Sequence, residues 1–404
     1  MKHILILALA LVVACDKIDS EKTNPYKALD LTTKSAEYVQ KGNSFAFEFI
    51  DRIDESTKVN YIISPLSMQF LLGMVLDGAQ TQTADEICTV LGYGAGEKAD
   101  VDKYSLSMLE QLPNLDKKTK LNIANALFAD KGFPVLDSYK TNVSKYYKAE
   151  IANLDFSKSA DALKTINGWA SRNTNKMIPS VLDDISTDIP VYLMNALYFK
   201  GVWKNQFSKK STSEETFTDE AGNASKVKMM KMSDKTFAYT ENDVFQAVSM
   251  PYGNGAYSMI AVLPRTGYKV ADVIDFLKKT SWQDFRSNMF YPKVDLWFPR
   301  FETKYHIKLN DILSAMGMPS AFSPANADFS ALSSIPLYLY FVQQDAIIKV
   351  DEEGTEAAAV SVAAFGKMAA GGPEFTFHAD HPFLYLITES STGAILFAGK
   401  FCNK

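Results

Sequence analysis

This sequence is poor in cysteine, in histidine and in surplus charge of either sign, and each scarcity excludes a class of protein. Lys and Arg number 42 against 47 Asp and Glu, a net charge of -5. So slight a balance, without Lys/Arg blocks, leaves no electrostatic footprint for nucleic acid or for an anionic membrane surface. Four histidines stand in 404 residues, and once His3 is set aside with the N-terminal segment only His306, His378 and His381 remain. No Gly-x-Ser-x-Gly elbow accompanies them, so a serine-hydrolase reading has no nucleophile to rest on. His378 and His381 are three apart, a spacing that on a strand sends them to opposite faces, without a cysteine or carboxylate set to complete a metal site. Capping or surface roles are expected for them, and neither a metal nor a cofactor. A Gly-rich phosphate cradle is also missing, since Gly253-Asn254-Gly255 reads as a hairpin turn.

The three cysteines divide by position. Lys2 and His3 precede the apolar run Ile4 to Val13, too short to span a bilayer as a helix, and the run ends Val12-Val13-Ala14-Cys15. That end resembles a bacterial lipobox. Residues 1–14 are therefore expected to be a lipoprotein signal peptide, with Cys15 as the lipid attachment site. The alternative is a plain secretory signal with an accidental cysteine. Several acyl chains at about 0.8 kcal/mol per buried methylene give a stable anchor. Residues 15–37 are polar and unpatterned and read as a flexible tether, with folded structure beginning near Asn43. The expected location is the bacterial cell envelope, lipid-anchored, or the secreted space, with the membrane touched through lipid alone. Cys88 and Cys402 are then an even pair, which permits a disulfide. A chain of this size needs no such staple, so two buried, unbridged thiols are expected.

What is present is an ordinary globular mixture, 47% hydrophobic and 22% charged, long enough for a sizeable core. Phe45, Phe49 and Ile50 share a helical face. Asn60 to Ile63 is a short apolar strand, and Ser64-Pro65 predicts a helix with Ser64 as cap and Pro65 in its first turn. Pro190 to Phe199 reads as a strand buried on both faces, with Trp203 just beyond its end. Phe237 to Tyr239, Ala247 to Met250 and Tyr257 to Leu263 are short strands. Ala271 to Lys279 and Ile307 to Met316 carry helical spacing, and Met229, Met230 and Met232 are core or edge packing. Helices early and strands late give an α+β class rather than a βαβ repeat.

One stretch stands apart. After an apolar run stopped by Asp351, Glu352 and Glu353, Gly354 supplies a joint, and small residues follow with hardly a charge as far as Lys367-Met368. Read at period two, Thr355, Ala357, Ala359, Ser361 and Ala363 form one face, and Glu356 lies on the other. Such a segment can slide between existing strands. An Ala-rich helix or a linker is the alternative on composition alone.

The chain is identified as resembling the serpins from a colinear set of motifs. These include Ile63-Ser64-Pro65-Leu66-Ser67, Asn167-Gly168-Trp169, Met194-Asn195-Ala196-Leu197-Tyr198-Phe199-Lys200-Gly201-Val202-Trp203, Phe298-Pro299-Arg300-Phe301, Ala327-Asp328-Phe329-Ser330 and His381-Pro382-Phe383. Each is weak alone; together they run in order from about Glu37 to the C-terminus. The resemblance implies a serpin domain over 38–404, with three β-sheets, about nine helices and an exposed reactive-centre loop at about 350–374.

It further implies an inhibitor rather than an enzyme. A target protease cleaves the loop as substrate and becomes acylated, and the freed arm inserts as a new strand of the main sheet. Glu353, Gly354, Thr355, Glu356, Ala357, Ala358 and Ala359 match the hinge. Ser64, Ser67 and Asn195 match the polar shutter beneath the sheet, Gln344 stands where the family commonly has His, and Trp203 matches the aromatic of the breach. Counting along the loop places the reactive bond between Met368 and Ala369, with Lys367 the alternative and Phe365 a further one. The implied partners are serine proteases, with cysteine proteases as a further target, met by a monomer. A non-inhibitory binding or carrier protein on the same fold is the other reading.

Overall fold

The computed structural model describes residues 23–355 and 374–403. The expected signal segment, Cys15, the hinge candidates Glu356, Ala357, Ala358 and Ala359, and the reactive-bond candidates Phe365, Lys367, Met368 and Ala369 lie outside the described residues.

The first half is helical. Helix α1 (Thr33–Ser56) leads into strand β1 (Tyr61–Ile63), followed by α2 (Pro65–Gly78), α3 (Thr81–Leu91) and α4 (Lys98–Gln111). Strand β2 (Lys120–Asp130), helix α5 (Asp137–Tyr146), strand β3 (Glu150–Leu154), helix α6 (Ser159–Asn173) and strand β4 (Val191–Val202) come next. Strands then dominate: β5 (Ser213–Thr218), β6 (Ala224–Thr236), β7 (Ala238–Glu241), β8 (Phe245–Tyr252) and β9 (Tyr257–Pro264). After α7 (Val270–Lys279) and α8 (Trp282–Ser287) come β10 (Lys293–Lys308), α9 (Asn310–Met316), β11 (Gln343–Val350) and the two-residue β12 (Gly354–Thr355). The chain closes with β13 (Phe375–His378), β14 (Phe383–Glu389) and β15 (Ile395–Phe401).

These strands form three sheets, because one strand serves two of them. The second half of β10, Phe301 to Lys308, pairs with β11 in the main sheet, whose order is β3-β2-β4-β12-β11-β10. The first half pairs instead with β6 on one side and β13 on the other, making a second sheet with β5. Along β10 the inward face is Val294, Leu296 and Phe298, then changes phase at Pro299 to Phe301 and Thr303. A change of phase in a period-two pattern turns the strand from one buried layer to another. The third sheet, β1-β15-β14-β9-β8-β7, carries the most apolar strands, with β9, β14 and β15 buried at every residue. A smaller cluster, including Phe128, Phe156, Trp169 and Tyr192, packs α6 against the other side of the main sheet.

The structure corrects the sequence reading in several places. Helix α1 begins at Thr33, ten residues before Asn43, with Thr32 Oγ1 accepting from Ser35 N at 3.1 Å. Tyr38 and Val39 are buried beneath a polar exterior, which is why the inward stripe was hard to see. The stretch from Thr23 is bound to the domain as well: Asn24 Nδ2 donates to Asp116 Oδ1 at 2.6 Å, and Leu29 is buried. Residues 23–37 are thus not a free tether. Ile307 and Lys308 finish β10 rather than starting a helix. Along β4 only Ala196 to Phe199 form a continuous buried run; Leu193, Met194 and Asn195 are half-buried. His378 ends β13 and His381 lies beyond it, so the two do not share a strand; Asp380 stands between them, 2.7 Å from His381 Nδ1 and 3.7 Å from His378 Nδ1. Cys88 is half-buried and Cys402 buried, and they form no disulfide.

Trp169 is 1% exposed and meets Phe128 edge-on at 6.0 Å. Trp169→Ala is expected to lower unfolding stability by about 3–5 kcal/mol, the usual cost of deleting a buried large aromatic, as read from denaturant melts.

Candidate functional site: a gate in the main sheet

The middle of the main sheet is made of two strands that do not pair with each other. Among the described residues, β4 and β11 are joined only through Gly354 and Thr355, with Gly354 opposite Val202, and Thr355 opposite Gly201 on one side and Val350 on the other. Lower down, a cavity of about 310 Å³ lies along the same line, bordered by β4, the start of β11, α6 and α2. Its walls are mainly apolar, including Leu193, Met194, Phe341 and Trp169.

Gly354 is at this joint because no side chain fits. A Cβ there would stand 2.0 Å from Gly201 O and 2.8 Å from Val202 Cα, far inside contact distance. Thr355, the first inward residue of the small-residue face, is 2% exposed. Its hydroxyl lies 2.7 Å from that of Tyr252, whose ring stacks on Trp203 at 4.3 Å between centroids and is met edge-on by Phe199. Burial pushes the Tyr252 phenol far above its ordinary range, so it stays protonated and able to donate.

Trp203 does more than fill space. Its backbone N donates to Glu353 O at 2.8 Å and its indole Nε1 to Asp351 O at 2.9 Å. Glu352 and Glu353 are themselves buried, an expensive position for acids without partners. Thr212 Oγ1 donates to Glu352 Oε1 at 2.8 Å, Arg300 stands 3.9 Å from the same carboxylate, and Lys209 pairs with Glu353 at 2.7 Å. The acidic residues that stop the apolar run are therefore fastened to the segment leading into β5 and to β10.

Beneath the sheet, the first turn of α2 binds both central strands. Ser64 caps the helix by accepting from Ser67 N at 3.1 Å, and donates to Leu396 O at 2.7 Å. Gln344 of β11 makes two bonds to Ser64: its Oε1 accepts from Ser64 N at 2.8 Å, and its Nε2 donates to Ser64 O at 3.0 Å. On the other side, the Ser67 hydroxyl bonds to Asn195 Oδ1 of β4. Asn195 Nδ2 donates to Asn125 Oδ1 at 2.7 Å, and Asn125 Nδ2 donates to Tyr147 O at 2.7 Å. The structure thus brings Ser64, Ser67, Asn195 and Gln344 into one network, and places Trp203, Glu353, Gly354 and Thr355 in a second cluster above it. Sequence reasoning missed Asn125, Tyr252, Thr212 and Lys209, whose partners are remote in the chain. The one available signal was polarity within an apolar strand, as at Asn125.

The comparisons with known proteins agree with this geometry. A family model described as serpin (serine protease inhibitor) matches residues 40–404. The leukocyte elastase inhibitor of Xenopus tropicalis is 34% identical over 371 residues, covering 89% of this chain and 97% of that protein. Neuroserpin of Gallus gallus is 32% identical over 353 residues, covering 84% and 85%. Among solved structures, the thermophilic serpin tengpin in its native state superposes with a TM-score of 0.83 at 32% identity, covering 94% of this chain and 96% of that one. Human thyroxine-binding globulin complexed with thyroxine superposes at 0.82 with 26% identity, covering 91% of this chain and 98% of that one. With a family match over nearly the whole folded region and a divided central sheet at its centre, the chain belongs to the serpin family.

Proposed function

We propose that this chain is a suicide-substrate inhibitor of serine proteases. The observation that carries the reading is the placement of Thr355, already seated between β4 and β11 as the first residue of an alternating small-residue face. The named leukocyte elastase inhibitor among its relatives supports the same reading.

The chemistry is that of an interrupted hydrolysis. The protease's serine oxygen attacks the carbonyl carbon of Met368, the bond to the Ala369 nitrogen breaks, and that nitrogen leaves with a proton, so an ester joins the protease to Met368. With the loop severed, the arm from Thr355 onward is free to extend down the line between the two strands. Each inserted residue offers backbone groups to strands on both sides. On the order of ten new bonds at about 1 kcal/mol net each rival the whole stability of an ordinary domain. That gain draws the acylated protease away before water reaches the ester. Met suits elastase-like or chymotrypsin-like pockets; cleavage after Lys367 instead directs the loop to trypsin-like ones. A protease with a cysteine nucleophile is trapped by the same sequence of events as a thioester.

A binding or carrier role on this fold is the second reading, and the apolar cavity between β4 and β11 is what favours it. Incubation with elastase-like, chymotrypsin-like, trypsin-like and subtilisin-like proteases separates the two. The inhibitor forms a complex with at least one of them that survives SDS, whereas cleavage by all four without any complex sinks the inhibitory reading. Thr355→Arg is expected to be cut at the same bond while the complex disappears, because an unpaired guanidinium cannot enter the packed line between the strands.

We also propose that lipid on Cys15 holds the protein to the bacterial envelope. Cys15→Ala expressed in a bacterial host is expected to move the protein from the membrane fraction to the soluble one; an unchanged distribution contradicts the anchor.

A further inference from the structure

The far end of α2 carries a buried acidic pair that the inhibitory reaction does not use. Asp77, in the last turn of α2, is 4% exposed, and Asp102 of α4 is 5% exposed. One amide serves both: Asn142 Nδ2 of α5 donates to Asp77 Oδ2 at 2.5 Å and to Asp102 Oδ2 at 3.1 Å. Tyr147 donates its hydroxyl to Asp102 Oδ1 at 3.1 Å. Lys98 of α4 is the cation beside them. Its Nζ donates to the Asp77 backbone carbonyl at 2.6 Å and stands 3.7 Å from Asp77 Oδ1, which is buried and accepts no hydrogen bond among the described residues. Tyr139 of α5 also faces Asp77, and Ser105 of α4 faces Tyr147.

Two buried carboxylates with one partly exposed lysine cannot both ionise at little cost, and the C-terminal turn of a helix is itself a negative environment. One proton held on the pair removes one of the two buried charges, and Asp77 Oδ1, which accepts no hydrogen bond among the described residues, can carry it. Burial first, and then the Asp102 charge, push the Asp77 carboxyl up to about 7, while burial raises Asp102.

The pair is wired to the gate along two routes. One is α2 itself, with Asp77 at its end and Ser64 and Ser67 at its start. The other runs from Asp102 through Tyr147, Asn125 and Asn195 to Ser67. Gly73 shows how closely Tyr147 is fitted to α2: a Cβ there would lie 2.6 Å from the Tyr147 hydroxyl oxygen.

We propose that Asp77 and Asp102 form a proton-sharing latch on α2 that keeps the main-sheet gate shut in acidic to neutral medium and loosens it in alkaline medium. In the unfolded chain both acids titrate near pH 4. Between about pH 4 and about pH 7 the native pair keeps a proton that the unfolded chain has released, so the native state loses stability as pH rises through that window. Above it two adjacent buried anions strain α2, α4 and α5 together. The inference rests on the gate and not on the trapping of any protease.

The test is the half-life of the native form of the full chain, followed by loss of its melting transition just below the melting temperature, at about pH 6 and about pH 8.5. The wild type is expected to convert several-fold faster at the higher pH. Asp77→Asn, whose amide imitates the protonated acid by donating to Asp102, is expected to show little pH dependence and to match the wild type at the lower pH. Asp102→Asn provides the same comparison should the first variant fail to fold. A wild-type half-life independent of pH, or a variant with the wild-type pH dependence, overturns the latch. Failure of protease trapping leaves this measurement unaffected.

Discussion

The structure depends on a helix end that binds two strands which do not bind each other. Gln344 of β11 and Asn195 of β4 both reach the first turn of α2, one through Ser64 and the other through Ser67. In an ordinary sheet these two neighbours would share a ladder, and parting them would cost its bonds one by one. Here the cost is concentrated in a few side-chain bonds at a helix N-terminus, where backbone donors are available anyway. The strands are fixed in place and yet separable.

Above that clasp sits its counterpart. Trp203, Tyr252 and the buried acids Glu352 and Glu353 hold the chain where it enters between β4 and β11, the point at which the proposed insertion would start. The two clusters have different chemistry because they have different tasks. The upper one, with stacked rings and paired acids, holds Thr355 between β4 and β11, as the proposed inhibitor requires of the start of its inserting arm. The lower one consists of uncharged amides and hydroxyls, which could exchange partners with an inserted strand, as proposed, without leaving an unpaired charge behind. Gln344 contributes no titrating ring to this clasp, so the proposed pH response is placed on Asp77 and Asp102 instead.

Much of this was legible in the sequence where the cause is local. Ser64 was readable as a cap because Pro65 follows it, and the small residues after Gly354 were readable at period two. The three-sheet architecture came from resemblance rather than from any single segment, since β10 divides its length between two sheets by a change of phase at Pro299. What stayed hidden was set by distant partners. Asn125 looks like a polar interruption of β2 until Asn195, 70 residues later, is brought beside it. Glu352 and Glu353 look like a solvated stop signal, yet Thr212, Lys209 and Arg300 make them buried anchors. The early start of α1 escaped because the charged residues Lys34, Glu37 and Lys41 surround Tyr38 and Val39, and the partner of both lysines, Glu97, is remote in the chain. Asp77 and Asp102 gave no sign at all, because their meeting depends on how α2, α4 and α5 pack.

The central claim is that the segment after Thr355 becomes a strand between β4 and β11 once the loop is cut. Thermal melting before and after a single cleavage between residues 356 and 373, located by mass spectrometry of the released C-terminal fragment, tests it without needing a trapped protease. Insertion adds backbone bonds along both strands and predicts a large rise in melting temperature, well beyond the few degrees that one or two kcal/mol produce in a chain of this size. A cleaved protein that melts where the intact one does would contradict the account.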